Sequence, residues 1–146
     1  YDLDLLHQAF RQLIANRRLD FLLVDTHPGL NEQYELLTVA AADLLLIVTR
    51  PDAQHLATTR LLAHALHKLE EPPTWIVVNQ LAGRPGTTEL SQNITEALGL
   101  DMTARLPLSL ALLQMGSQGI FVQQHPDDPW SVGVSQLADR ILAMSV

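Results

Sequence analysis

The chain predicts an α/β protein, a three-layer α/β/α arrangement around a mostly parallel sheet, on two observations. Short uninterrupted apolar runs, Phe21–Val24 and Leu44–Val48 the longest, alternate with stretches of helical periodicity. The runs are apolar throughout rather than alternating, the pattern of strands covered on both faces. At 146 residues one hydrophobic core suffices, since a chain of this size buries about 68–70% of its unfolded surface.

Leu3, Leu5, Leu6, Phe10, Leu13 and Ile14 recur at near-helical spacing with Arg11, Gln12, Arg17 and Arg18 between them, so residues 3–17 predict an amphipathic helix. Its basic end complements the helix dipole. Residues 20–25, Asp-Phe-Leu-Leu-Val-Asp, predict the first strand, broken by Thr26-His27-Pro28-Gly29-Leu30. Residues 31–42 suit a helix with Asn31 as its N-cap, and residues 43–49 predict a second buried strand stopped by Pro51.

The longest helix is expected over 53–70, closed by Glu70-Glu71-Pro72-Pro73. Residues 74–79 predict the third strand. The loop 80–87, with Gly83, Pro85 and Gly86, leads to a helix at 88–98 that Gly99 stops. Residues 102–106 predict a weaker fourth strand, followed by Pro107, a short helix near 109–116, and a last helix over 129–144.

Composition removes several chemistries. Nine Lys and Arg against sixteen Asp and Glu leave a net charge of −7, a field that opposes direct, sequence-specific binding of nucleic acid. The absence of cysteine excludes disulfides, thiolate metal sites and a cysteine nucleophile. No apolar run approaches the ~20 residues that span a bilayer. Lys68, between His67 and Leu69, is the single lysine, so the chain has no Walker A loop, in which Lys precedes Ser or Thr after a glycine-rich turn. The chain opens at Tyr1 without methionine, inside a helical pattern, and is expected to be a fragment.

In parallel α/β sheets ligands bind outside the carboxyl ends of the strands. Topology therefore nominates Asp25, Thr49, Asn79 and Pro107. A carboxylate at a strand tip, as Asp25 would be, can hold magnesium through water, and a glycine close behind it, Gly29, lets a backbone amide approach a terminal phosphate. The same hexapeptide also reads as an Asp that caps a turn made by Pro28 and Gly29.

The order of these elements resembles the MinD/ParA group of deviant-Walker P-loop ATPases. Asp25–Gly29 matches its strand-end Asp with a switch behind it, and Thr49-Arg50-Pro51-Asp52 its Thr-x-Pro step before a long helix. Val77-Val78-Asn79 matches a strand ending in Asn. Leu106-Pro107-Leu108-Ser109 and Met115-Gly116-Ser117-Gln118-Gly119 match a strand running into Pro, then a short helix with a glycine-containing exit.

The resemblance covers residues 1–146 as a single partial ATPase domain, a truncated P-loop NTPase fold without the amino-terminal phosphate-loop strand and helix. It implies a cytoplasmic ATPase that binds ATP with Mg2+, forms a homodimer, is stimulated by a protein partner, and positions division or partitioning machinery. In that reading Asp25 is the magnesium-side acid, Pro28 and Gly29 belong to the switch with Gly29 sensing the γ-phosphate, Asn79 and Pro107 frame adenine, and Arg84 lies near it. A chain without the phosphate-loop lysine is expected not to hydrolyse ATP alone.

Two departures stand out. Thr58 and Thr59 occupy the place of an acid common in relatives, and the carboxyl terminus Asp139–Val146 has one base, which argues against membrane attachment through that end. In the intact family a further strand lies between the one ending in Asp25 and the one ending in Thr49, so the sheet here would be gapped.

The remaining polar residues read blandly. His64 and His67 lie three apart on a helix but lack the carboxylate of a zinc motif. His27 sits in the switch loop. Asp127-Asp128 and Glu70-Glu71 read as solvated turns, Trp75 and Trp130 as packing residues, and Ser109, Ser117 and Ser131 lack a nucleophile-elbow setting. The competing reading is a non-enzymatic interaction module whose gapped sheet pairs with another chain. A receiver-like domain would need clustered acids at strand ends, where Asp25 stands alone.

Overall fold

A computed structural model describes residues 3–27, 39–68, 72–82, 88–99, 102–116 and 118–144. Its elements in chain order are α1 (Leu3–Arg17), β1 (Leu45–Thr49), α2 (Ala53–Lys68), β2 (Thr74–Leu81), α3 (Thr88–Leu98), β3 (Ala104–Pro107), α4 (Leu110–Met115), α5 (Phe121–Gln124) and α6 (Pro129–Met144). The three strands form one mostly parallel sheet in the order β1-β2-β3, flanked by helices. The α/β class and most element positions agree with the sequence expectation. The short α5 was not anticipated.

The chain divides into two compact units, residues Tyr1–Leu45 with Leu62–Thr74, and Leu46–Leu61 with Trp75–Val146. In the first unit α1 ends in a Schellman arrangement: Arg18 adopts φ 52°, its N–H donates to Ala15 O at 3.3 Å, and Leu19 N–H donates to Ile14 O at 3.0 Å. Among the described residues of this unit, Val39, Ala63 and Leu66 are the buried apolar ones.

The apolar run after α1 departs from expectation. Residues 21–27 form no strand, and Phe21, Leu23 and Val24 are 40%, 85% and 48% exposed. A buried parallel strand needs a hydrogen-bonded neighbour and cover on each face. Among the described residues nothing supplies a ladder to this segment. The expected helix at 31–42 lies mostly outside the described residues, with Val39 and Ala40 helical at its end.

In the second unit the core is formed by Ile47, Leu56, Ile76, Val77, Val78, Ile94, Leu98, Leu106 and Phe121. Three consecutive residues of β2, Ile76–Val78, are at most 3% exposed, as expected of a strand between two neighbours with cover on both faces. Ile94 and Leu98 stand one helical turn apart and face inward together. Gly99 ends α3 at φ 66°, its N–H donating to Thr95 O at 2.8 Å, which is the stop read from the sequence.

Helix α6 lies directly against β3 because Gly133 has no side chain. A Cβ there would stand 2.9 Å from Leu106 Cδ2 and 3.3 Å from the Arg105 carbonyl. Arg140 ties the far end of the same helix to the sheet: its guanidinium lies 5.1 Å from the centre of the Trp75 ring and donates to the Thr103 carbonyl.

Candidate functional site

The sheet register builds the site. Val77 pairs with Ala104 and Val78 with Arg105, but the next pair is Leu81 with Pro107, so three steps along β2 match two along β3. The surplus residue is a bulge at Asn79-Gln80, and Gln80 takes φ 59°, a left-handed conformation costing a non-glycine residue about 1 kcal/mol or more. Beyond it the ladder resumes, Leu108 N–H donating to Leu81 O at 2.9 Å. The bulge re-aims Asn79, half-buried at the carboxyl end of β2.

Asn79 Oδ1 accepts from the Gln80 N–H at 2.8 Å and from the Trp130 indole Nε1–H at 3.1 Å. Trp130 is itself fixed. Its backbone N–H donates to Asp128 Oδ1 at 2.8 Å, and its ring meets buried Phe121 edge-on at 5.9 Å between centres. Asp128 Oδ2 accepts from Ser109 Oγ at 2.9 Å, and Ser109 Oγ in turn accepts from Leu112 N–H at 3.2 Å, capping α4. A continuous network therefore runs Asn79, Trp130, Asp128, Ser109 across the carboxyl ends of β2 and β3.

Of the nominated residues, Asn79 and Pro107 lie on neighbouring strands near their carboxyl ends, Pro107 paired with Leu81 and Asn79 in the bulge just before that pair. Thr49, at the end of β1, turns inward: it is 4% exposed, and its hydroxyl accepts from Thr59 Oγ1 at 2.8 Å. Asp25 is exposed, in irregular chain of the first unit. Pro28, Gly29 and Arg84 lie outside the described residues. Thr58 is exposed and bonds back to the Gln54 carbonyl at 3.0 Å, whereas Thr59 is buried and has no surface to offer a partner.

Sequence reasoning missed Trp130, Asp128 and Ser109. Asp127 is exposed as expected, but Asp128 is the half-buried N-cap of α6 rather than a solvated turn residue. The signal was present, because Asp before Pro is the N-cap and N1 pattern of a helix start. Trp130 does pack, yet its indole N–H reaches Asn79, 51 residues away.

Ser109 donates to Asp128 and caps α4, so within this network it positions groups. Among the described residues no three His, Cys, Asp or Glu gather where a metal could be ligated. The groove along α1, lined by Asp4, His7, Gln8, Arg11, Gln12 and Ala15, is the outer surface of a single helix.

At the Thr49 step, Asp52 caps α2, Oδ1 accepting the His55 N–H at 3.1 Å and lying 2.7 Å from His55 Nδ1. Arg50 Nη2 reaches His55 Nε2 at 3.3 Å. The His55 hydrogen bonds, side chain first and backbone second, hold the Asp52 carboxyl below its usual 3.8.

No family model matches the chain. Against solved structures, MinD cell division protein of Aquifex aeolicus superposes with a TM-score of 0.80 at 18% identity, covering 97% of this chain and 61% of MinD. The chain has the MinD/ParA fold. A ParA family ATPase of Chlorobium tepidum agrees, with a TM-score of 0.74 at 20% identity over 94% of this chain and 57% of that one. MinD in its complex with MinC, from Aquifex aeolicus, gives 0.76 at 18% identity, over 97% of this chain and 60% of that one.

An uncharacterized ATP-binding protein of Methanocaldococcus jannaschii is 26% identical over 137 residues, 90% of this chain and 53% of that protein. The MinD/ParA-like chain thus spans a little over half the length of the proteins it matches. No helix among its described residues is long and apolar enough to cross a membrane.

Proposed function

We propose that this chain is the base-binding part of a MinD/ParA-like ATPase, which binds MgATP, dimerises across the nucleotide and acts as a cytoplasmic positioning or partitioning switch answering to a protein partner. The observation that supports the proposal is the bulge at Asn79-Gln80 near the carboxyl end of β2, just before Leu81 pairs with Pro107. Bulges of this kind re-aim side chains next to functional sites, and the carboxyl ends of parallel strands are where such folds bind ligands.

In this reading Asn79 and Pro107 frame the base with Arg84 near it, Asp25 stands on the magnesium side, and Pro28 and Gly29 form the switch that meets the γ-phosphate. Phosphoryl transfer rests on alignment and charge stabilisation rather than on a strong base. A chain whose one lysine is Lys68, on α2, lacks the phosphate cradle, so these 146 residues bind MgATP weakly and do not turn it over. Isothermal titration and phosphate-release assays test this. Weak binding without release is expected, with amide shifts at Gln80, Leu81 and Leu108 in a parallel NMR titration. Submicromolar affinity, or shifts that spare these residues, would overturn it.

A second reading, the interaction module, is favoured by the exposure of Leu23 and Val24 in a segment that has no ladder among the described residues. An extended apolar segment with unpaired backbone recruits another strand. Light scattering over a concentration series tests it: association that Leu23→Asp abolishes supports the module, and a monodisperse monomer removes it.

A further inference from the structure

We infer that Trp130 is a positioning residue that commits Asn79 to act as a hydrogen-bond donor alone, so that the base read at this site presents an acceptor, the N7 shared by adenine and guanine, and Asn79 does not select between the two purines. The inference rests on the base-binding reading above and deepens it.

The argument is one of valence. An amide oxygen has two lone pairs and an amide nitrogen two hydrogens. Both donors that meet the Asn79 side chain, the Gln80 backbone N–H and the Trp130 indole N–H, are directed at Oδ1. Neither can accept, so the reversed amide would set N–H against N–H, and the network itself decides which atom is oxygen. With both lone pairs engaged, Oδ1 has nothing left for an exocyclic amine. Nδ2 has no partner among the described residues, and it is the end of the group that remains to meet a ligand.

Recognition of adenine by a carboxamide uses both ends at once, nitrogen donating to N7 and oxygen accepting from the N6 amine. The indole bond removes the second half. What survives is a single donor, and both purines offer it an N7 acceptor, with guanine adding O6 nearby. The two Oδ1 bonds and the packing around the indole make this a built constraint: the Asp128 cap holds the Trp130 backbone, Phe121 holds its ring, and the left-handed turn at Gln80 aims the backbone N–H.

The test uses the 146-residue chain and two readouts. In ligand-free protein, the Trp130 indole N–H resonance is followed in wild type and Asn79→Ala. A downfield, exchange-protected signal that moves and loses protection in the variant is expected, and an unchanged signal would overturn the inference whatever the nucleotide does. Millimolar NMR titrations then compare ATP, GTP and 7-deaza-ATP.

Wild type is expected to bind ATP and GTP within about threefold of each other and 7-deaza-ATP about fivefold more weakly, the size of one net hydrogen bond. Trp130→Phe, which keeps the ring and removes the donor, should shift the ratio about fivefold toward ATP by freeing Oδ1 for the N6 amine. Strong ATP preference in wild type that Trp130→Phe leaves unchanged, or equal binding of 7-deaza-ATP, would overturn it. If no nucleotide binds while the indole signal behaves as expected, the base-binding reading falls and takes the purine assignment with it, and only the conformational lock on Asn79 stands.

Discussion

Ser109 and Asp128 face each other at the carboxyl end of β3, Oγ donating to Oδ2 at 2.9 Å, and each of the two residues also caps a helix. One contact thereby couples the starts of α4 and α6, the first and last of the three described helices that follow β3.

Removing the hydroxyl breaks both of its bonds at a residue only 8% exposed. Ser109→Ala should lower stability by about 1–2 kcal/mol, the range of a lost N-cap together with a carboxylate left short of a partner. Ser109→Asp, a good cap elsewhere, should be worse, since it sets a second carboxylate against Asp128. Urea denaturation measures both, and a Ser109→Asp variant as stable as wild type would contradict the geometry.

Gly133 sets two local effects against each other. Alanine in a helix interior gains about 1 kcal/mol over glycine, while its Cβ would stand 2.9 Å from Leu106 Cδ2 and 3.3 Å from the Arg105 carbonyl. Overpacking of this kind costs about 1–3 kcal/mol, and Leu106 is buried with a backbone oxygen beside it. Gly133→Ala should therefore destabilise slightly and Gly133→Val strongly. Thermal melts that rise for both would show that α6 can move off β3 freely.

The buried hydroxyls of Thr49 and Thr59, 2.8 Å apart, predict a non-additive pair. Thr49→Val takes the acceptor from the Thr59 hydroxyl and should cost about 1 kcal/mol or more, while Thr59→Val leaves Thr49 donating to the Arg50 carbonyl at 3.5 Å and should cost less. The double variant places two apolar groups against each other and should cost clearly less than the sum, with a coupling of about 0.5 kcal/mol or more. Strict additivity in a denaturation cycle would show that the two hydroxyls find partners separately.

Asp52 predicts an acid dependence. Its carboxyl is held below 3.8 by the His55 side-chain and backbone hydrogen bonds. A depressed acid contributes stability that is present above its unfolded value and is lost as pH falls through the folded one. The advantage of wild type over Asp52→Ala should thus shrink as pH falls below about 4. Because Asp52 and His55 are exposed, salt should weaken the effect. Denaturation midpoints that keep their separation in acid would contradict it.

Much of the second unit was legible because its signals are short-range. Gly99 announces the end of α3, and the uniform apolar run Trp75–Val78 announces a strand buried on both faces, as Ile76–Val78 are. The nearly identical run at 21–24 predicts the same burial and does not obtain it. An apolar run states what a segment would bury if it had a neighbour, and contains no information on whether a neighbour is there.

The site divides in the same way. Asn79 and Pro107 were readable as lying near strand ends, because the apolar run stops at Val78 and proline ends a ladder, although β2 continues to Leu81. The register surplus between β2 and β3 was not readable, since it belongs to neither strand alone.

The sequence by itself determined the α/β class, the places of most helices, and that Asn79 and Pro107 lie toward the ends of their strands, because periodicity, capping and turn chemistry act within a few residues. Only the tertiary structure decided that the Asn79 oxygen is occupied by an indole 51 residues away and that the run at 21–24 stays uncovered. Those outcomes depend on which distant groups packing brings within about 3 Å of each other, and no local pattern encodes that distance.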